Sequence, residues 1–184
     1  MIQHLRAKPP VRFEGHENPG FHNVSWHQDV GVMMAEGEAS NILTCWIPLV
    51  DVNEGNGCMR AMPGLPEKAY IRHVEHQGDT TIDPALLPDL EPISLNCARG
   101  DLVLMSRFTP HCSTPNRAEV CRWSLDCRYQ VTGQHTGRTA HPAFSVRGVE
   151  MPDFPRMDHA AWCDAWINAF EHPHGESGHR LEYK

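Results

Sequence analysis

The chain has 184 residues, a formal net charge of −7, 40% hydrophobic residues and 21% charged residues, the balance of an ordinary globular domain. That length suffices for one domain with a substantial core, so 1–184 is read as a single unit. The acidic balance argues against a broad footprint on nucleic acid or anionic membrane, and no window offers the ~20 apolar residues of a membrane span. Neither kind of partner is expected.

The N-terminal stretch MIQHLRAKPPVRFEGHENPG lacks an apolar h-region, which argues against secretion. Seven cysteines (Cys45, Cys58, Cys97, Cys112, Cys121, Cys127 and Cys163) are scattered without a CxxC pair. An odd, unpaired set fits reduced thiols in a cytoplasmic protein, with at least five expected to be buried.

The first stretch with chemical content is SWHQDVGVM, which sets His27 and Asp29 one residue apart. In extended backbone, residues i and i+2 project to the same side about 7 Å apart, so the two side chains can converge on one ion. A lone His-x-Asp is weak evidence in a chain with 13 histidines. Next, NILTCWIPLV (41–50) is rich in β-formers and ends in the turn residues DVNEGNG, predicting a strand. Gly- and Pro-rich connections follow at 54–57, 62–66 and 79–92. A short strand is predicted over 102–105, launched from the turn Arg99-Gly100-Asp101.

His111 follows that strand and a proline, on backbone expected to be extended at the strand end. Over 120–129, VCRWSLDCRY alternates strictly. Cys121, Trp123, Leu125, Cys127 and Tyr129 share one face, and Arg122, Ser124, Asp126 and Arg128 share the other. A guanidinium at Arg122, mid-strand, needs a partner if buried. That partner is either a protein carboxylate or a dicarboxylate ligand, which Arg grips with two parallel hydrogen bonds. The last element is a helix over 158–170, capped by Asp158. Its apolar stripe of Trp162, Cys163, Trp166, Ile167 and Phe170 is expected to pack on the outside of a sheet. The polar tail 171–184 is expected to fray. Strands joined by turns, with no helix between them, predict an antiparallel sandwich or barrel.

His27, Asp29 and a second histidine, His111, would make a 2-His-1-carboxylate set. Such a set leaves open positions on an octahedral metal and suits non-haem Fe(II) and dioxygen, whereas structural zinc is normally closed by four ligands. Taken together and in order, WHQD (26–29), NGCMRAMPG (56–64), GDLVLMSRFTPHCSTPNR (100–117) and RWSLDCRYQ (122–130) resemble the phytanoyl-CoA dioxygenase family. The resemblance runs from about residue 22 to 150. It implies an all-β core with a flanking helix, namely a double-stranded β-helix or cupin-like jelly roll. It also implies a dioxygenase using Fe(II), 2-oxoglutarate and dioxygen to hydroxylate a C–H bond of a small molecule, with release of succinate and CO2.

Carried over residue by residue, His27, Asp29 and His111 would ligate iron. Arg122 and the hydroxyl of Ser113 would hold the far carboxylate of 2-oxoglutarate, and Trp46 would line the same pocket. Asp29 favours hydroxylation, because halogenating relatives have a small residue there. Gln28 is expected to point away from the metal, and Arg128 to serve a salt bridge with Asp126 or Glu119. The sequence departs from the family pattern in two places. Leu65-Pro66 stands where Ser-His commonly follows the Pro-Gly, and only 26 residues precede His27, so the chain reads as N-terminally short. The alternatives are a nucleic-acid dealkylating dioxygenase, a cupin-like binding protein without turnover, and a zinc hydrolase. The charge opposes the first, and no evident general base supports the last.

Overall fold

Two antiparallel four-stranded sheets form the layers of the computed structural model, which describes residues 3–12, 23–65, 69–146 and 157–172. In chain order the strands are β1 (Gln3–Lys8), β2 (Val24–His27), β3 (Ile42–Pro48), β4 (Met59–Ala61), β5 (His73–His76), β6 (Asp79–Ile82), β7 (Ile93–Leu95), β8 (Val103–Ser106), β9 (His111–Ser113) and β10 (Arg122–Gln130), followed by helix α1 (His159–Glu171). One sheet runs β1-β10-β3-β8 and the other β2-β9-β4-β7. Every pairing is antiparallel. The result is the expected jelly roll with one C-terminal helix.

The three predicted strands lie within two residues of their expected bounds. β1 was not anticipated, yet it pairs with β10 over its whole length, from Gln3 opposite Cys127 to Lys8 opposite Arg122. The 79–92 connection begins as a strand. Gln77 (φ 53°) and Gly78 (φ 79°) both adopt the left-handed region, the two-residue turn that matches the twist of a hairpin, and β5 and β6 pair across it.

β10 carries the main surprise. Its burial alternates with its polarity reversed: Arg122, Ser124 and Asp126 are buried, while Trp123 and Tyr129 are exposed. The charged face of the strand points into the barrel. Arg122, expected mid-strand, is the first residue of the strand and lies on this polar inner face. The apolar packing lies beneath, around Trp46, Val52, Cys58, Met59 and Met105.

Helix α1 is capped as expected, with Asp158 accepting from Ala161 N at 2.8 Å. Its stripe is not seated on a sheet, however. No residue of α1 is buried, Phe170 is 78% exposed, and Trp166 meets the His141 ring of the preceding segment, centroid to centroid at 5.3 Å. All seven cysteines are free. Two of them, Cys45 and Cys58, are buried where at least five were expected, and the other five are half-buried. The segment 173–184, which includes most of the expected tail, lies outside the described residues.

Candidate active site

His27 is the last residue of β2 and Asp29 the first of a 3-10 turn over Asp29–Val32, with extended backbone at Gln28 between them (φ −109°, ψ 142°). The i, i+2 geometry therefore operates at a joint between a strand and a turn. His111 does not end the 103–106 strand. It opens β9 in the opposite sheet, directly across the ladder from His27, and the two rings lie 4.2 Å apart. One ligand atom from each of His27, Asp29 and His111 falls within 4.8 Å of the others, and all three residues are buried.

Hydrogen bonding gives this cluster its chemical sense. His27 Nδ1 lies 2.9 Å from Ser25 O, and His111 Nδ1 lies 2.9 Å from Thr109 O. A carbonyl partner makes each Nδ1 the protonated nitrogen and leaves the Nε2 lone pair for a metal, the usual arrangement behind a ligating imidazole. Burial, and then the neighbouring His111, push His27 down to about 3, so it is a neutral donor at physiological pH. These two imidazoles and one carboxylate fit a divalent transition metal with open positions.

His73 shows the contrast. Its Nδ1 also meets a carbonyl two residues back, Ile71 O at 2.7 Å, but its Nε2 accepts from Gln28 N at 2.9 Å. That lone pair is already taken, which makes His73 a brace for the turn that carries Asp29. Gln28 is fully buried and bonds to the backbone of Ala69, Ile71 and Phe108.

Asp29 is held from behind. Arg128 donates to its Oδ1 from Nε (3.1 Å) and from Nη2, and Thr44 Oγ1 donates to Oδ2. Burial alone would raise the Asp29 carboxyl, but Arg128 and the two histidines outweigh it and hold it well below the usual carboxylate range. Arg128 was expected to pair with Asp126 or Glu119. Its principal partner is Asp29, with Asp126 secondary at 3.7 Å, because the inward turn of β10 aims it at the cluster.

A cavity of about 290 Å³ opens beside the histidines, and its walls include Lys8, Trp46, Ser113 and Arg122. Arg122 is 3% exposed. Its Nη1 donates to Ser124 Oγ at 2.7 Å, and its guanidinium lies over the Trp46 ring at 5.5 Å. Its Nε has no hydrogen-bond partner and no salt bridge reaches it among the described residues. A buried donor of this kind calls for an acceptor, and a carboxylate entering the cavity would supply one. Burial, then the charge of Arg6, lower Arg122 to about 10.

Lys8 lies beside it. Its Nζ donates to Ser113 Oγ at 2.7 Å and to Thr114 O at 2.6 Å, and burial together with Arg122 lowers it to about 7. The pocket thus contains all three residues expected there, and the site draws in four that sequence reasoning did not place: Lys8, Thr44, His73 and Arg128. Of these, only Arg128 carried a signal, its position on the same strand face as Arg122.

The model of the phytanoyl-CoA dioxygenase family matches residues 15–123, more than half of the chain. A 2-aminoethylphosphonate dioxygenase from the uncultured bacterium HF130_AEPn_1 is 29% identical over 132 residues, 70% of this chain and 49% of that protein. A methylphosphonate hydroxylase from Gimesia maris is 25% identical over 152 residues, 81% of this chain and 56% of that protein. The chain thus spans about half the length of the curated relatives it matches. Among solved structures, the non-heme monooxygenase ThoJ in its apo form aligns with a TM-score of 0.65 at 19% identity, over 92% of this chain and 64% of that one. This last likeness speaks for the fold. Among the described residues, no helix is long and apolar enough to cross a membrane.

Proposed function

The chain belongs to the phytanoyl-CoA dioxygenase family, and from that premise we propose that it is an Fe(II)- and 2-oxoglutarate-dependent dioxygenase that hydroxylates a C–H bond of a small molecule. The observation that carries this reading is the buried His27–Asp29–His111 cluster, with both Nδ1 atoms tied to carbonyls. His27, Asp29 and His111 hold the iron. Trp46 forms the cavity wall beside them, while Arg122 and Ser113 receive the far carboxylate of the keto acid. The bound iron and keto acid supply dioxygen activation, with oxidative decarboxylation to succinate and CO2 and delivery of a hydroxyl group to the substrate.

The chain's own residues govern geometry and charge. The barrel wall excludes bulk water around the three ligands, all of them buried. Arg128 and Thr44 fix the plane of the Asp29 carboxylate and keep it anionic. Arg122 sets how deep the keto acid sits. Both curated relatives bear phosphonates in their names, and Arg6 adds a further cation to the cavity wall. The substrate class is accordingly read as a short organophosphonate or a similar small anion.

The test is anaerobic titration of Fe(II)-loaded protein with 2-oxoglutarate. A weak visible charge-transfer band is expected, together with succinate release when oxygen and a phosphonate are added. Arg122→Ala should weaken 2-oxoglutarate binding by about 10- to 100-fold, the loss of a charged hydrogen-bonded contact of roughly 1.5–3 kcal/mol. A folded protein that shows no band would overturn the reading. A band without succinate release, over a panel of phosphonates, would mark a binding protein. Release stimulated by methylated oligonucleotides alone would favour a dealkylase.

A further inference from the structure

Asp126 lies midway along the inner face of β10, opposite His4 in β1 and opposite Trp46 in β3. It is 7% exposed and lines the same cavity as His27 and His111, with His4 and Arg6 on the wall beside it. Burial alone would raise its carboxyl, but His4, Arg128 and Arg6 outweigh that and lower it to about 2. The group is an anion at physiological pH.

A carboxylate offers about four acceptor positions, and few of those on Asp126 are filled. Its Oδ2 accepts from Arg6 Nε at 3.3 Å, while Arg128 Nη2 at 3.7 Å and His4 Nδ1 at 3.9 Å stay beyond hydrogen-bond reach. Its Oδ1 has no hydrogen-bond partner among the described residues. A buried anion with an idle oxygen is costly. The neighbouring cations are engaged elsewhere. Arg128 gives two donors to Asp29, and Arg6 spends Nε on Oδ2 with Nη2 turned to His4 at 3.3 Å. The cavity is the route left for a further donor. Its wall is also graded in charge, because the Arg6 side chain is 42% exposed where that of Asp126 is 10% exposed. The anion lies inside, and the arginine nearer the rim.

Resting on the oxygenase reading above, we propose that Asp126 selects the primary substrate by accepting from an ammonium group. The substrate class narrows to a short zwitterion, an amine joined through a few carbons to a phosphonate. Its cationic end meets Asp126 within the cavity, and its anionic end meets Arg6 toward the rim. A primary ammonium suits the place because it is a compact cation that carries its own donors. An alkyl group of the same size leaves the carboxylate as it was and gains nothing from it. Asp126 holds the substrate and takes no part in the chemistry at the metal.

The test is calorimetric titration of wild type and Asp126→Asn, each loaded with Mn(II) and 2-oxoglutarate. The probes are aminomethyl-, aminoethyl- and aminopropylphosphonate, paired with ethyl-, propyl- and butylphosphonate, in which a methyl group replaces the ammonium. Wild type should bind at least one amine about 10-fold tighter than its methyl counterpart, the gain of a charge-assisted hydrogen bond. Asp126→Asn should lose that preference. Its alkylphosphonate affinity should hold or rise, because removing a carboxylate does not repel an anion. Three outcomes overturn the proposal: no preference in wild type, a preference that survives in Asp126→Asn, or an equal loss for both members of a pair, which would mark Asp126 as structural. Should Asp126→Asn fail to fold, Asp126→Ser removes the charge with less bulk and carries the same comparison. A wild type that binds 2-oxoglutarate but none of the phosphonates also overturns it, whereas a wild type that does not bind 2-oxoglutarate defeats the oxygenase reading itself.

Discussion

The two ends of β10 present the same residue type in opposite situations. Arg128, near the C-terminal end, has its guanidinium filled by Asp29, with Asp126 close by. Arg122, six residues earlier on the same inner face, sits beside a second cation and keeps a buried Nε without a partner. One arginine has its counter-charge within the fold, and the other keeps a buried donor without a hydrogen-bond partner among the described residues. A buried charge that has its counter-charge within the fold is held in one geometry, whereas a buried charge lacking one stores a cost that a bound anion relieves.

The largest effect expected from breaking this contrast is at the satisfied end. Arg128→Met leaves the Asp29 carboxylate buried without its cation, a loss of about 3–5 kcal/mol of folding stability. Metal affinity should fall about 10- to 100-fold, as for other residues that orient a ligand. Urea unfolding and Mn(II) titration measure the two, and a variant as stable as wild type would show that Thr44 and the histidines alone hold the carboxylate.

Next comes the pH dependence at the Arg122 end. Lys8 is lowered from 10.5 to about 7 in the ligand-free fold. Between those two values the unfolded chain holds a proton that the folded chain has released, so stability contributed at this site rises with pH through that window. Between pH 7 and 9.5, wild type should gain about 2–3 kcal/mol relative to Lys8→Met. Paired urea midpoints at the two pH values test it, and a flat difference would mean that the amine is not desolvated.

The smallest effect concerns the brace behind the turn that carries Asp29. A side chain at Gly31 would run into the His73 ring. Gly31→Ala should therefore cost about 1–3 kcal/mol, as overpacking does, and displace the cap on Gln28 N. A lowered melting temperature together with weaker Mn(II) binding is the expected outcome. Unchanged metal affinity would separate the brace from the site.

Much of the site was legible because its chemistry is written in short-range patterns. His27 and Asp29 announce a shared side by their spacing, and the ordered motifs carried His111, Ser113 and Arg122 with them. Thr44 and Lys8 gave no such signal. Thr44 reads as an ordinary β-branched strand residue, and it matters because β3 pairs with β10 to place it opposite Arg128. Lys8 lies 105 positions from Ser113 in the chain, in a segment whose pairing only the assembled sheet reveals. His73 reads like any of the other histidines until the ring nitrogen that Gln28 N occupies is known.

Strand period and turn chemistry by themselves determined which residues of β3, β8 and β10 share a face, and hence the all-β class. They could not determine which face looks inward. Alternation is symmetric about the strand, and the usual assumption that the apolar side is buried fails where charged side chains line a cavity inside the barrel. Tertiary structure decided that. By setting β1 and β3 on either side of β10, and the histidine-bearing sheet over its inner face, it turned Arg122, Ser124, Asp126 and Arg128 inward, where the cost of burying them is met by Asp29 at one end and left open at the other.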